Sequence, residues 1–172
     1  MPERFLKSIR LLAECYQAFE QTSGRHVRQL GLTPAQFDIV ATLGRTHGMT
    51  FKQLGEMTLI TKGTLTGVVD RLADRGLVAR VPSASDGRST VVRLTAAGDR
   101  LFDQVFPAHI GYLKTRFKGF AACDLDALER QLTVLREALV SGDRAKAGGD
   151  PAKAGGHPAP AATAFRVRRP SS

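Results

Sequence analysis

The chain has 172 residues, 42% of them hydrophobic and 24% charged; this is the span of about one domain and lacks any apolar run near the roughly 18–20 residues of a membrane span. Lysine and arginine number 25 against 16 acidic residues, a net charge of +9 that points to a polyanionic partner, nucleic acid before an anionic membrane. Cys15 and Cys123 are too few for a disulfide scaffold and lack metal-finger spacing, and charges scattered through the N-terminal stretch argue against a secretory signal, so the reading is a cytoplasmic protein with no metal site and no membrane partner.

From Glu3 to about Leu30, apolar residues Phe5, Leu6, Ile9, Leu12, Tyr16 and Phe19 recur at helical spacing. Gly31 stops that helix, and Thr33-Pro34 opens a second with Thr as N-cap and Pro at its first position. The second helix is expected to bury Phe37, Val40, Ala41 and Leu43 and to end near Thr46-His47-Gly48. A short helix over Phe51–Met57 follows, then a fourth from about Thr61 to Gly76 with Leu65, Val68, Val69 and Leu72 apolar.

The period then changes. Leu77–Val81 and Ser89–Leu94 are β-rich runs on either side of a segment containing the turn signal Asp86-Gly87, so they read as a hairpin with a basic tip. Thr95 caps a long helix to about Lys118, in which Pro107 marks a kink. The last helix, Asp124 to about Ser141, carries Leu125, Leu128, Leu132, Leu135 and Leu139 in a coiled-coil-like seam. From Gly142 the composition shifts to Ala, Gly and Pro, with the unit AKAGGDP at 145–151 repeated as AKAGGHP at 152–158. Residues 142–172 therefore read as a disordered basic tail.

Helix, short helix, turn, helix and basic hairpin make a winged helix-turn-helix over 32–94. Residues 1–31 and 95–141 form a helical region around it, a mostly α (α+β) architecture. Two stretches carry a resemblance. Thr61-Lys-Gly-Thr-Leu-Thr-Gly-Val-Val-Asp-Arg-Leu-Ala-Asp-Arg-Gly-Leu-Val-Ala-Arg80 has a recognition helix and a Leu-x-x-x-Gly-Leu-x-x-Arg exit. Asp86-Gly-Arg88-Ser-Thr-Val-Val-Arg-Leu-Thr-Ala-Ala-Gly98 has Asp-x-Arg followed by Leu-Thr-x-x-Gly. In this order the chain resembles the MarR family of bacterial transcriptional regulators.

The resemblance implies a homodimeric repressor of double-stranded DNA with a pseudo-palindromic operator. A helix entering the major groove needs small or polar residues at its leading end. Thr61, Lys62, Gly63, Thr64, Thr66 and Gly67 supply them, with Thr61 serving also as N-cap. Lys52, Gln53 and Arg71 complete the expected contact surface on the same two helices. In the family, the wing arginine enters the minor groove steadied by an acidic residue two before it; the matching positions are Arg88 and Asp86. The dimer it implies would be sealed by Phe5, Ile9, Leu128, Leu132, Leu135 and Leu139.

The family also implies release by a small aromatic carboxylate or phenol in a crevice beside the winged domain. Arg10, Arg25, His26 and His109 are the candidate polar groups there, and Tyr16 and Phe37 the candidate walls. No cofactor is implied. Nucleophile elbow, Walker loop and paired-carboxylate spacing are all absent, so an enzyme is not expected. Two alternatives stay open: a protein-interaction module on a degenerate winged helix, and a redox-sensing repressor using Cys15. Against the second, the family's hydroperoxide sensors carry tyrosines on the second helix, where this chain has Thr33, Pro34, Gln36 and Phe37. Glu14 beside Cys15 also disfavours a thiolate. Cys15 is therefore expected to be a buried structural residue.

Overall fold

In the computed structural model the described residues are 3–82 and 89–146, side chains excepted at Lys62 and 142–146. The elements run α1 (Phe5–Gln29), α2 (Pro34–Leu43), β1 (Met49–Thr50), α3 (Phe51–Met57), α4 (Lys62–Asp74), β2 (Val78–Pro82), β3 (Thr90–Leu94), α5 (Ala96–Lys114), a 3-10 turn (Thr115–Phe117) and α6 (Ala122–Lys146).

Local capping chemistry accounts for most helix starts. Thr33 accepts from the Gln36 N–H at 3.2 Å while the Gln36 side chain accepts from the Thr33 N–H at 3.0 Å, a capping box with Pro34 inside the first turn. Thr50 and Gln53 form a second box at the start of α3. Thr95 caps α5 by accepting from Gly98 N–H at 3.1 Å, and its hydroxyl donates to the Gly76 carbonyl at 2.6 Å. That second bond staples the end of the α4 turn to the start of α5. Thr61 departs from the expectation. Its side chain does not cap α4; its hydroxyl sits 3.0 Å from that of Thr64, and the backbone carbonyl of Thr61 accepts from the Thr64 and Leu65 N–H groups.

The core lies between α2, α3, α4 and the sheet. Ile39, Val40, Leu43, Leu54, Val68, Val69, Leu72 and Val92 are almost wholly buried and form one cluster with Phe102 of α5. A second cluster, Val27, Leu32, Phe37, Ala41 and Val105, joins the C-terminal half of α1 and the middle of α5 to the other side of α2. Thus α2 is packed on both sides. That explains why Ile39 is buried alongside the expected Val40, Ala41 and Leu43.

Several boundaries differ from the sequence expectation, each for a local reason. The sheet has three antiparallel strands in the order β1-β3-β2, where a two-stranded hairpin was expected. The extra strand pairs Met49 with Val92 and Thr50 with Val91. Gly48 allows it: φ is +104° there, and a Cβ would strike Val91 and the Val92 carbonyl oxygen. α2 stops at Leu43, where Thr46 donates its hydroxyl to the Leu43 carbonyl at 2.6 Å. α5 continues through Pro107 and ends at Lys114; Thr115 bonds the Tyr112 carbonyl and the chain tightens into a 3-10 turn short of Lys118. α6 continues past Ser141 to Lys146, so five residues assigned to a disordered tail are helical. Gly142 costs about 1 kcal/mol in a helix, and the strong helix formers Arg144, Ala145 and Lys146 follow it. The rest of that segment, 147–172, lies outside the described residues.

Two long faces have no partner among the described residues. Every residue of α1 from Phe5 to Gln21 is exposed, including Phe5, Leu6, Ile9, Leu12, Tyr16 and Phe19. No described side chain of α6 is buried, and Leu128, Leu132 and Leu139 are about half exposed while Leu125 and Leu135 are partly covered. Cys15 stands on the bare part of α1 and is exposed, contrary to the expected burial, because none of the described residues packs against these turns. No described helix is long and apolar enough to cross a membrane.

Candidate nucleic-acid interface and adjoining cavity

α4 is anchored by one face and bare on the other. Leu65, Val68, Val69 and Leu72 pack on Leu54 of α3 and on Ile39, Val40 and Leu43 of α2. On the outer side Gly63, Thr64, Thr66 and Arg71 are exposed and Gly67 partly so. A methyl group at Gly63 would meet no described atom, and one at Gly67 only the Arg71 guanidinium. Glycine costs a helix about 1 kcal/mol relative to alanine, and no packing among the described residues requires it at these two positions. They keep the surface of α4 low along the stripe that ends at Arg71, which lets a backbone approach a large partner closely.

Lys52 and Gln53 sit beside this stripe, both exposed on the first turn of α3. The Gln53 side-chain oxygen accepts from the Thr50 N–H and hydroxyl at 2.9 and 3.0 Å. Arg80 pairs with Asp70 and lies 5.3 Å from the centre of the Phe51 ring, tying β2 to α4 and α3. The side chain of Lys62 and the wing tip 83–88, with Asp86 and Arg88, lie outside the described residues.

A cavity of about 350 Å³ opens between α1, α2 and the start of α4. Tyr16, Phe19, Val27, Pro34, Ala35, Phe37, Ala41, Leu59 and Ile60 make its apolar walls; Glu20, Ser23, Asp38, Thr61, Thr64 and His109 are its polar groups. Three of the expected residues, Tyr16, Phe37 and His109, are therefore brought together. His26 stands behind His109. Arg10 is not brought there: it pairs with Glu14 at 2.8 Å on the bare half of α1. Arg25 opens on a separate surface with Gln21, Arg28 and Gln29.

Asp38 was missed by sequence reasoning. The available signal was a lone acid in the otherwise apolar run Phe37-Asp38-Ile39-Val40. Its Oδ2 accepts from the Leu59 N–H at 3.0 Å, clamping the α3–α4 turn to α2. Burial pushes this carboxyl above the usual range, against the opposing effect of the Leu59 N–H.

His109 is 1% exposed. Its Nε2 lies 3.1 Å from the Ser23 hydroxyl and its Nδ1 3.0 Å from Nδ1 of His26. One hydrogen serves that nitrogen pair, so one imidazole donates and the other accepts. Burial, and secondarily the charge of His26, lower the His109 pKa to about 4. Phe37 meets the His109 ring edge-on at 4.7 Å, and Tyr112 stacks on His26 at 4.1 Å.

The MarR family profile matches residues 30–89, from the end of α1 to the wing. The HTH-type transcriptional regulator MhqR of Bacillus subtilis is 30% identical over 109 residues, 63% of this chain and 75% of that protein. The chain belongs to the MarR family. Its fold matches that of the MarR-family regulator AbsC from Streptomyces coelicolor with a TM-score of 0.73 at 24% identity, over 81% of this chain and 96% of that one. Bordetella bronchiseptica BpsR, whose DNA binding is regulated by 6-hydroxynicotinic acid, matches with a TM-score of 0.66 at 25% identity, over 74% and 91%. The protein is thus a DNA-binding transcriptional regulator of MarR type, a class without enzymatic activity.

Proposed function

We propose that this MarR-family regulator is a homodimeric repressor whose α4 helices enter successive major grooves of a pseudo-palindromic operator, and that a small aromatic compound in the cavity releases it. On this reading Lys62, Thr64, Thr66 and Arg71 face bases and phosphates, Gly63 and Gly67 admit the backbone, and Lys52 and Gln53 touch the flanking phosphates. Asp86 and Arg88 serve the minor groove from the wing.

The observation that carries it is the double placement of Thr61 and Thr64. They stand at the exposed leading end of α4 and also in the wall of the cavity. A guest in the cavity therefore bears on the turn that presents α4 to DNA, and its differential affinity for the two arrangements sets how far it shifts binding. The bare apolar faces of α1 and α6 support the dimer: Phe5, Ile9, Leu128 and Leu132 are each between two-fifths and three-fifths exposed in the chain alone.

The test is fluorescence anisotropy with duplexes from the DNA upstream of the regulator's own coding sequence, alongside light scattering of the free protein. A dimer binding one such duplex is expected. Thr64→Ala or Lys62→Ala costs about 1–3 kcal/mol if a base-edge contact is lost. A folded monomer at micromolar concentration, or wild-type affinity in Arg88→Ala, would overturn this reading.

A further inference from the structure

We infer that the cavity is built for an aromatic guest with a hydrogen-bond-donating head, a protonated amine before a phenol, and that it discriminates against aromatic carboxylates. The inference rests on the reading of this cavity as the effector site and names the chemistry of the effector.

The charged groups of the wall decide the matter. Asp38 and Glu20 both line the cavity, and no lysine or arginine of the described residues does. The ion pairs among the described residues are Arg10–Glu14 and Arg80–Asp70, so neither Asp38 nor Glu20 has a cationic partner there. A half-buried carboxylate without a counter-charge is costly, and an incoming ammonium relieves that cost while forming a charge-assisted bond. A carboxylate guest would instead set a further negative charge beside the two acids, with no lysine or arginine of the described residues on the wall to receive it. His109 does not supply one: buried, with its Nδ1 and Nε2 already engaged by His26 and Ser23, it is neutral near pH 7. Phe19, Phe37 and Tyr16 provide ring faces for an aromatic body, and about 350 Å³ is at the small end of ligand pockets.

The same carboxylate links the guest to DNA binding. Asp38 Oδ2 holds the Leu59 N–H at 3.0 Å, and Leu59, Ile60 and Thr61 lead directly into α4. A donor head arriving at Asp38 draws on the oxygens that clamp this turn.

The experiment measures binding of 2-phenylethylammonium, 4-ethylphenol and phenylacetate to the 172-residue protein by calorimetry, and operator release by anisotropy. In the wild-type protein the ammonium is expected to bind tightest and phenylacetate weakest, an order that requires no variant. Asp38→Asn retains an acceptor for the Leu59 N–H. It is expected to weaken the ammonium about tenfold, to change 4-ethylphenol little, and to improve phenylacetate. Glu20→Gln, on the exposed side of the wall, is expected to shift the same order in the same direction by less. Phenylacetate binding the wild type as tightly as the ammonium, no saturable binding by any probe, or an Asp38→Asn variant with an unchanged order would each overturn the inference. Release by phenylacetate alone would overturn it and leave the ligand-controlled repressor standing. Tight ammonium binding without release would support the ligand class and strike the repressor switch.

Discussion

Mild acid is expected to destabilise this protein through one imidazole. His109 is buried at the crossing of α1 and α5, and its pKa lies at about 4 against an ordinary 6.5. Between those values the unfolded chain carries a proton that the folded chain refuses. The stabilisation is therefore complete above about pH 6.5 and drains away as pH falls toward 4. The gap from 6.5 to about 4 corresponds to about 3 kcal/mol in full, of which about 2 kcal/mol is lost by pH 5. The chain has no tryptophan, so urea unfolding followed by far-UV circular dichroism is the assay, at fixed protein concentration so that any self-association contributes equally throughout. His109→Gln keeps polar atoms for Ser23 and His26 but does not titrate. The stability of wild type relative to this variant is expected to fall by about 2 kcal/mol between pH 8 and pH 5. If the two proteins lost stability in parallel over that range, the assignment of the acid sensitivity to His109 would be wrong.

Gly98→Ala is expected to destabilise by about 1–3 kcal/mol, read as a lower urea midpoint, since the new methyl would overlap the Leu77 carbonyl oxygen that accepts from Thr95 N–H. Thr95→Ala removes both the α5 cap and the bond to Gly76 and is expected to cost about 1 kcal/mol or somewhat more by the same assay. Leu54→Ala opens a void under α4 where the side chain is wholly buried and is expected to cost about 2–5 kcal/mol. Operator affinity is expected to fall steeply as sodium chloride rises from about 50 to about 200 mM; a flat salt response in anisotropy would contradict phosphate contacts by the basic groups of α3, α4 and the wing.

The sequence by itself determined the order of the helices and the two wing strands, and the family. Thr33-Pro34 and Thr95 wrote their helix starts locally, since a cap needs only residues within one turn, and Leu65, Val68, Val69 and Leu72 marked the buried side of α4 by period alone. The pairing of Tyr16, Phe37 and His109 around one crevice was also legible, because the family pattern specifies which helices meet. Other features depend on residues far apart in the chain. β1 exists only because Gly48 lets Met49 reach Val92, 43 positions on. Asp38 becomes the polar anchor of the cavity only because Leu59, 21 positions later, donates to it. Arg10 and Arg25 had suitable charge and the right helix, but a helix turns about 100° per residue. Which flank of α1 faces the cavity was set by the packing of Val27 and Ser23 against α2 and α5. That rotation left a wall with Asp38 and Glu20 and no lysine or arginine among the described residues, where the sequence had suggested a basic one, because burial and long-range contact are properties of the assembled fold and not of any window along the chain.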